Sequence, residues 1–96
     1  MFARMSRARI KPDRKADVEA TIARLKTQTK DLPGVEYWIT LLSDEGELTV
    51  ISLYGSEVAR HETAPINATR WADARDLFQE APTIVNGEVL AIVRND

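Results

Sequence analysis

One histidine, His61, stands in the whole chain. It is the only side chain whose ordinary pKa, about 6.5, suits proton transfer near neutrality, so it is the candidate catalytic base. The competing account is a solvated histidine between Arg60 and Glu62 on an exposed helix. Trp71 offers an aromatic wall for a bound ring, while its helical spacing with Ala74 and Phe78 reads equally as core packing. Tyr54 ends a predicted strand, where a hydroxyl either meets a ligand or finishes the sheet. Asn67 and Arg75 carry hydrogen-bond donors on a predicted helix and would orient a substrate oxygen, unless they face solvent. Ser6 and Arg4 share one face of the first strand with Phe2, Ala8 and Ile10, so either can point into a pocket.

Other chemistries fail on composition. The chain has no cysteine, which removes disulfides, thiolate metal sites and thiol nucleophiles. A single histidine cannot build a multi-histidine metal cage within one protomer, so no metal site is expected. There is no glycine-rich phosphate loop and no Gly-x-Ser-x-Gly elbow, and one histidine among scattered serines makes no triad. Hydrolase and kinase readings therefore fall away. The net charge of −2 implies no general polyanion binding.

The elements that must position these residues follow from periodicity. Phe2 to Ile10 alternates as a strand, with Met5, Arg7 and Arg9 on the opposite face. Pro12 stops it, and Asp13 is placed to cap the next helix. From Arg14 to about Lys30, Val18, Ile22, Leu25 and Thr29 recur at helical spacing. Leu32-Pro33-Gly34 ends that helix. Val35 to Leu42 is β-branched and aromatic, Ser43-Asp44-Glu45-Gly46 supplies a turn, and Leu48 to Tyr54 returns as the second arm of a hairpin. Ser56 is the expected N-cap of a short helix to about Thr63. Pro65 interrupts it, and a second piece runs from near Ile66 until Pro82 closes it. Trp71, Ala74, Leu77, Phe78 and Ala81 share one face of that piece, with Arg70, Asp73, Asp76 and Glu80 mostly away from it. Thr83–Val85 and Val89–Val93 are strand-like, and Asn86-Gly87 between them signals either a hairpin turn or a bulged last strand.

These elements predict an α+β fold of ferredoxin-like order β-α-β-β-α-β: a four-stranded antiparallel sheet with helices on one face, occupying residues 1–96 as a single domain. The second sheet face would be open, yet Val, Ile and Leu occur on both faces of the middle strands. A second copy of the same sheet is the simplest cover, so a homodimer through sheet faces, closing a dimeric α/β barrel, is expected. A chain of this length has a thin core of its own, and self-association is the remedy left to it without cysteines. No apolar run approaches the roughly 20 residues of a membrane span, and the first residues lack the apolar stretch of a secretory signal. A cytoplasmic protein with no membrane partner is expected.

The junctions Lys11-Pro12-Asp13, Leu32-Pro33-Gly34-Val35 and Tyr54-Gly55-Ser56-Glu57, in this order of elements, resemble those of the antibiotic biosynthesis monooxygenase-like family of dimeric α/β barrels. The resemblance implies a pocket between sheet and helices and, in some members, oxidation of aromatic polyketides to quinones without metal or flavin. Other members degrade haem with an asparagine on strand one and a tryptophan and histidine from the helical layer. Here Ser6 lies near the asparagine position, only Trp71 can correspond to the tryptophan, and His61 falls too early. The resemblance therefore does not extend to haem oxidation.

The expectation is a cofactor-independent monooxygenase-like enzyme acting on a small aromatic or oxidisable compound. His61 would be its base, with Ser6, Tyr54, Asn67, Trp71 and Arg75 around the substrate. The alternative is a non-catalytic small-molecule-binding or assembly domain of the same dimeric fold. A nucleic-acid role for the basic residues of the first strand is not supported, because the central strands lack the exposed aromatics that stack bases.

Overall fold

A computed structural model describes residues 1–95. Its elements are β1 (Phe2–Arg9), α1 (Lys15–Thr29), β2 (Val35–Leu42), β3 (Glu47–Tyr54), α2 (Glu57–Glu62), α3 (Ala64–Asp73), a 3₁₀ turn at Arg75–Leu77, and β4 (Thr83–Glu88). The four strands form one sheet in the order β2-β3-β1-β4, every neighbouring pair antiparallel. This is the ferredoxin-like arrangement that the sequence predicts. Among the described residues no helix is long and apolar enough to cross a membrane.

Strand alternation decides which residues meet the helices. Along β1, Arg4, Ser6 and Ala8 are buried, and they pair with Ser52, Val50 and Leu48 of β3. Trp38, Thr40 and Leu42 of β2 lie opposite the same three β3 residues, so they share that face. The core gathers Ala8, Val18, Leu48, Leu77 and Phe78 there, with Ile22, Val50 and Trp71 packed against it. The Trp71 and Phe78 rings sit 4.9 Å apart in a tilted arrangement favoured by ring quadrupoles. Burying side chains such as Leu48 and Phe78 contributes roughly 1.5–3 kcal/mol each.

The opposite sheet face has no covering element among the described residues. It carries Met5 of β1, Tyr37, Ile39 and Leu41 of β2, Ile51 and Leu53 of β3, and Val85 of β4, as the registers require. Ile39 and Leu41 are 48% and 60% exposed.

Several local expectations are corrected. Asp13 does not cap α1: it takes a left-handed conformation (φ 67°) in the preceding turn, and Arg14 occupies the cap position with no side-chain cap bond. Asp17 instead accepts a 2.7 Å bond from Arg14 Nε. The last helix does not run to Pro82. It ends at Asp73, and a 3₁₀ turn brings Leu77 and Phe78 inward, where Phe78 bridges Ile10 and Lys11 N–H donates to the Leu77 carbonyl. The expected break near Pro65 is present, with α2 ending at Glu62 and Pro65 in the first turn of α3, where its missing N–H costs nothing. Finally, Asn86-Gly87 makes neither turn nor bulge. β4 passes straight through, pairing Asn86 with Arg4 and Gly87 with Ala3, because β1 offers an unpaired edge. Val89–Val93 forms no strand.

One buried charge ties the layers together. Arg4, only 4% exposed, reaches from β1 into the helical layer. Its Nη1 donates to the Tyr54 hydroxyl of β3 at 2.9 Å and to Thr63 Oγ1 at 3.3 Å, and its Nη2 donates to the Arg60 carbonyl of α2. Thr63 in turn donates to the carbonyls of the α2 end. Ser56 caps α2 as expected, accepting from Ala59 N–H at 3.1 Å. Every acceptor around Arg4 is neutral, so the guanidinium is solvated by the protein rather than paired.

Two stability predictions follow from these contacts. Tyr54→Phe removes an acceptor from a buried guanidinium and should destabilise the fold by about 1–3 kcal/mol in urea titration. Gly34 has φ +80° at the entry to β2, and a Cβ there would lie 2.5 Å from Ala59 Cβ. Gly34→Ala should therefore cost more than about 1 kcal/mol, whereas Gly87→Ala, with open space around it, should stay within roughly 0.5 kcal/mol. Equal midpoints for the two glycine variants would contradict this account.

Candidate functional site

Between the helix-facing side of the sheet and the helices lies a cavity of about 50 Å³. Its apolar walls come from the α1 stripe (Val18, Ile22, Leu25), from Trp38 of β2, and from Trp71 and Phe78. The chain's helical periodicity and strand alternation put these side chains there: they are the residues that each element must turn inward. The cavity opens between α1 and α3 into a surface groove of about 740 Å³, and Thr21, Leu25, Leu32, Ile66 and Arg70 line both. The inner space holds a few water molecules, well short of the roughly 150 Å³ that accommodates a benzene ring. A ring-sized ligand would have to lie partly in the cleft.

The polar lining residues Thr21, Thr29, Ser52, Tyr54, Thr63 and Asn67 can each donate or accept, and Arg70 donates only. Tyr54, 3% exposed, presents its hydroxyl, whose oxygen already accepts from Arg4. Arg70 of α3 donates from Nη1 to Thr29 Oγ1 at 2.8 Å. Burial pushes the Arg70 guanidinium below its ordinary value, and Tyr54 partly offsets this. It stays charged at neutral pH, because arginine starts so high. Asn67, one turn earlier on α3, donates through Nδ2 to Ser6 Oγ over a long 3.5 Å. Ser6 is 1% exposed and lies behind Asn67 rather than on the cavity wall. No aspartate, glutamate, lysine or histidine is among the described residues that line the cavity.

The structure thus brings Tyr54, Asn67 and Trp71 of the sequence-predicted set together, with Ser6 in contact behind them. It sets two members apart. His61 is exposed on α2 and faces a separate shallow hollow with Arg4, Arg60, Glu62 and Asn86. Arg75 lies in the 3₁₀ turn, beside Ala72, Asp76 and Gln79. Arg70 was expected away from the apolar face, yet it lines the cavity. Its position three residues after Asn67 and next to Trp71 was the available signal, since residues three apart on a helix share a face. Among the described residues no group of three His, Cys, Asp or Glu gathers that could hold a metal ion.

No family model and no curated protein matches the chain. Solved structures do. A protein of unknown function from Nitrosomonas europaea is similar at a TM-score of 0.84 and 23% identity, over 99% of this chain and 94% of that one. A Mycobacterium tuberculosis protein is similar at 0.77 and 22%, over 97% and 98%. A structure named an antibiotic biosynthesis monooxygenase is similar at 0.77 and 17%, over 95% and 100%. These identities speak to fold, and the near-complete coverage of both chains leaves no element unaccounted for. The resemblance carried by the strand–helix junctions holds at that level: this chain has the fold of the antibiotic biosynthesis monooxygenase-like proteins.

Proposed function

We propose that this protein is a cofactor-independent monooxygenase-like enzyme for a small aromatic or otherwise oxidisable compound, bound in the cavity between sheet and helices and working as a cytoplasmic homodimer. The observation that carries the reading is the cavity itself: aromatic and aliphatic walls, with hydrogen-bond donors gathered at one end. A substrate whose ring lies partly in the cleft would direct one oxygen at these groups, where developing negative charge is stabilised. The implied reaction consumes dioxygen and substrate alone. A phenol with an open ring position loses its hydroxyl proton, its anion passes electrons to O₂, one oxygen atom stays on that ring carbon as the second carbonyl of a quinone, and the other leaves as water with the hydroxyl and ring hydrogens.

In this reading the protein positions the ring in the cleft along Leu25, Leu32 and Ile66 and stabilises the anion with Tyr54 and Arg70. The lining residues include no carboxylate or imidazole, so the substrate proton passes to water rather than to a cavity side chain. That same lack of a proton acceptor specifically favours the second reading, a binding domain of the same fold without turnover.

The homodimer is supported by the uncovered apolar sheet face, because soluble monomers rarely leave so contiguous a patch open. Two copies apposed through Met5, Ile39, Leu41 and Ile51 would bury it. The cytoplasmic setting is supported by the cysteine-free composition.

Oxygen-electrode assays with hydroquinones and related single-ring phenols test the activity. Uptake of one O₂ per substrate consumed is the expected result, and tight binding without uptake would favour the binding domain instead. Removing a general base typically costs a hundredfold or more, so His61→Ala, outside the cavity, should lower turnover far less than that. A hundredfold loss would restore His61 as the base. Sedimentation should give the mass of two chains at micromolar concentration, and Ile39→Lys should shift it to one. A monomeric wild-type protein would remove the shared-sheet assembly.

A further inference from the structure

The polarity of the cavity is one-sided, and this specifies the ligand's charge. Among the described residues Arg70 is the only charged one lining it, and no described acidic side chain pairs with either Arg70 or Arg4. The Tyr54 hydroxyl oxygen is occupied by Arg4 Nη1, while no acceptor among the described residues takes the hydroxyl hydrogen. A phenol whose oxygen already accepts from a guanidinium is polarised to donate. Arg70 and one free O–H therefore line an inner cavity whose described walls carry no acidic side chain, while Asp73 and Arg24 line only the outer groove.

We propose that the ligand is a single-ring aromatic carboxylate, its carboxylate seated between the Tyr54 hydroxyl and the Arg70 guanidinium and its ring lying in the cleft between α1 and α3. The proposal rests on the reading of this cavity as the ligand site and adds the ligand's charge and size. Size follows from volume: about 50 Å³ inside admits a charged head but not a ring, and the ring finds Leu25, Leu32 and Ile66 along the cleft. A phosphate fits less well, because a dianion calls for more than one guanidinium in direct reach and for more room. A neutral ligand would cover the half-buried Arg70 guanidinium without supplying a counter-charge.

The chain's two tryptophans, Trp38 and Trp71, both line the cavity, so its intrinsic fluorescence reports on occupancy. The test uses the intact protein with benzoate and its neutral isostere benzamide, read by tryptophan fluorescence and by ¹⁵N shifts of residues on α1 and α3. Benzoate should bind at least about tenfold more tightly than benzamide, as a charge-assisted pair requires. That preference should weaken with added salt. Arg70→Gln should bring the ratio near one, Arg70→Lys should restore part of it, and Arg75→Gln should leave it unchanged. Equal affinity of the wild-type protein for the two probes would overturn the anion while leaving the cavity as the ligand site. If neither probe moves α1 or α3 resonances, the site reading itself falls and the anion with it. The wild-type ratio decides the question even where a variant fails to fold.

Discussion

The structure depends on how it keeps one arginine out of water. Arg4 is anchored on the central strand β1 and directs its guanidinium at a phenol on β3, a hydroxyl at the α2–α3 junction and a carbonyl of α2. A buried cation with neutral partners is tolerated only where the donors are satisfied together. Those partners come from separate parts of the chain, so the charge fixes their relative positions. The α2–α3 break therefore sits at Thr63, whose side chain serves Arg4 and the preceding helix turn at once. In a chain with so thin a core, a polar clasp of this kind supplies uniqueness that apolar packing alone would leave loose.

The clasp also explains why the cavity is polar at one end only. The sheet face below the helices is apolar toward Leu48 and Leu77 and turns polar toward Tyr54 and Arg4, following β1 and β3 from one end to the other. α3 crosses this gradient with Asn67, Arg70 and Trp71 on its inner side. Ring-shaped apolar surface and hydrogen-bond donors are thereby set side by side without any special loop. The α1 stripe closes the apolar part and leaves the cleft through which a ligand would enter.

Much of the fold was legible because its signals are periodic. β1, α1, β2 and β3 follow from alternation and helical spacing, and Gly46 adopts the positive φ its turn required. What the residues did not announce came from tertiary competition. Asn86-Gly87 has the dipeptide of a turn, but the open edge of β1 held it extended. The chain after Asp73 has helical spacing, yet pairing of Phe78 with Ile10 brought both Leu77 and Phe78 into the core through a tighter turn. At the site, Tyr54, Asn67 and Trp71 were readable as candidates, and Arg70 was not, because a charged residue beside an apolar helix face is ordinarily solvated. His61 drew notice for its pKa, a property of residue type, while its place on α2 follows from a fold that turns that helix outward.

The division of these polar groups between scaffold and helix has an evolutionary consequence. Arg4 and Tyr54 belong to the sheet and hold the layers in register, whereas Asn67 and Arg70 project from one helix and each make a single side-chain bond to another element, to Ser6 and Thr29. Substitutions on that helix face can retune what the cavity recognises without loosening the clasp beneath it. Descendants of such a chain can diverge in ligand while their backbones stay superimposable, which fits close structural likeness among chains that share fewer than a quarter of their residues.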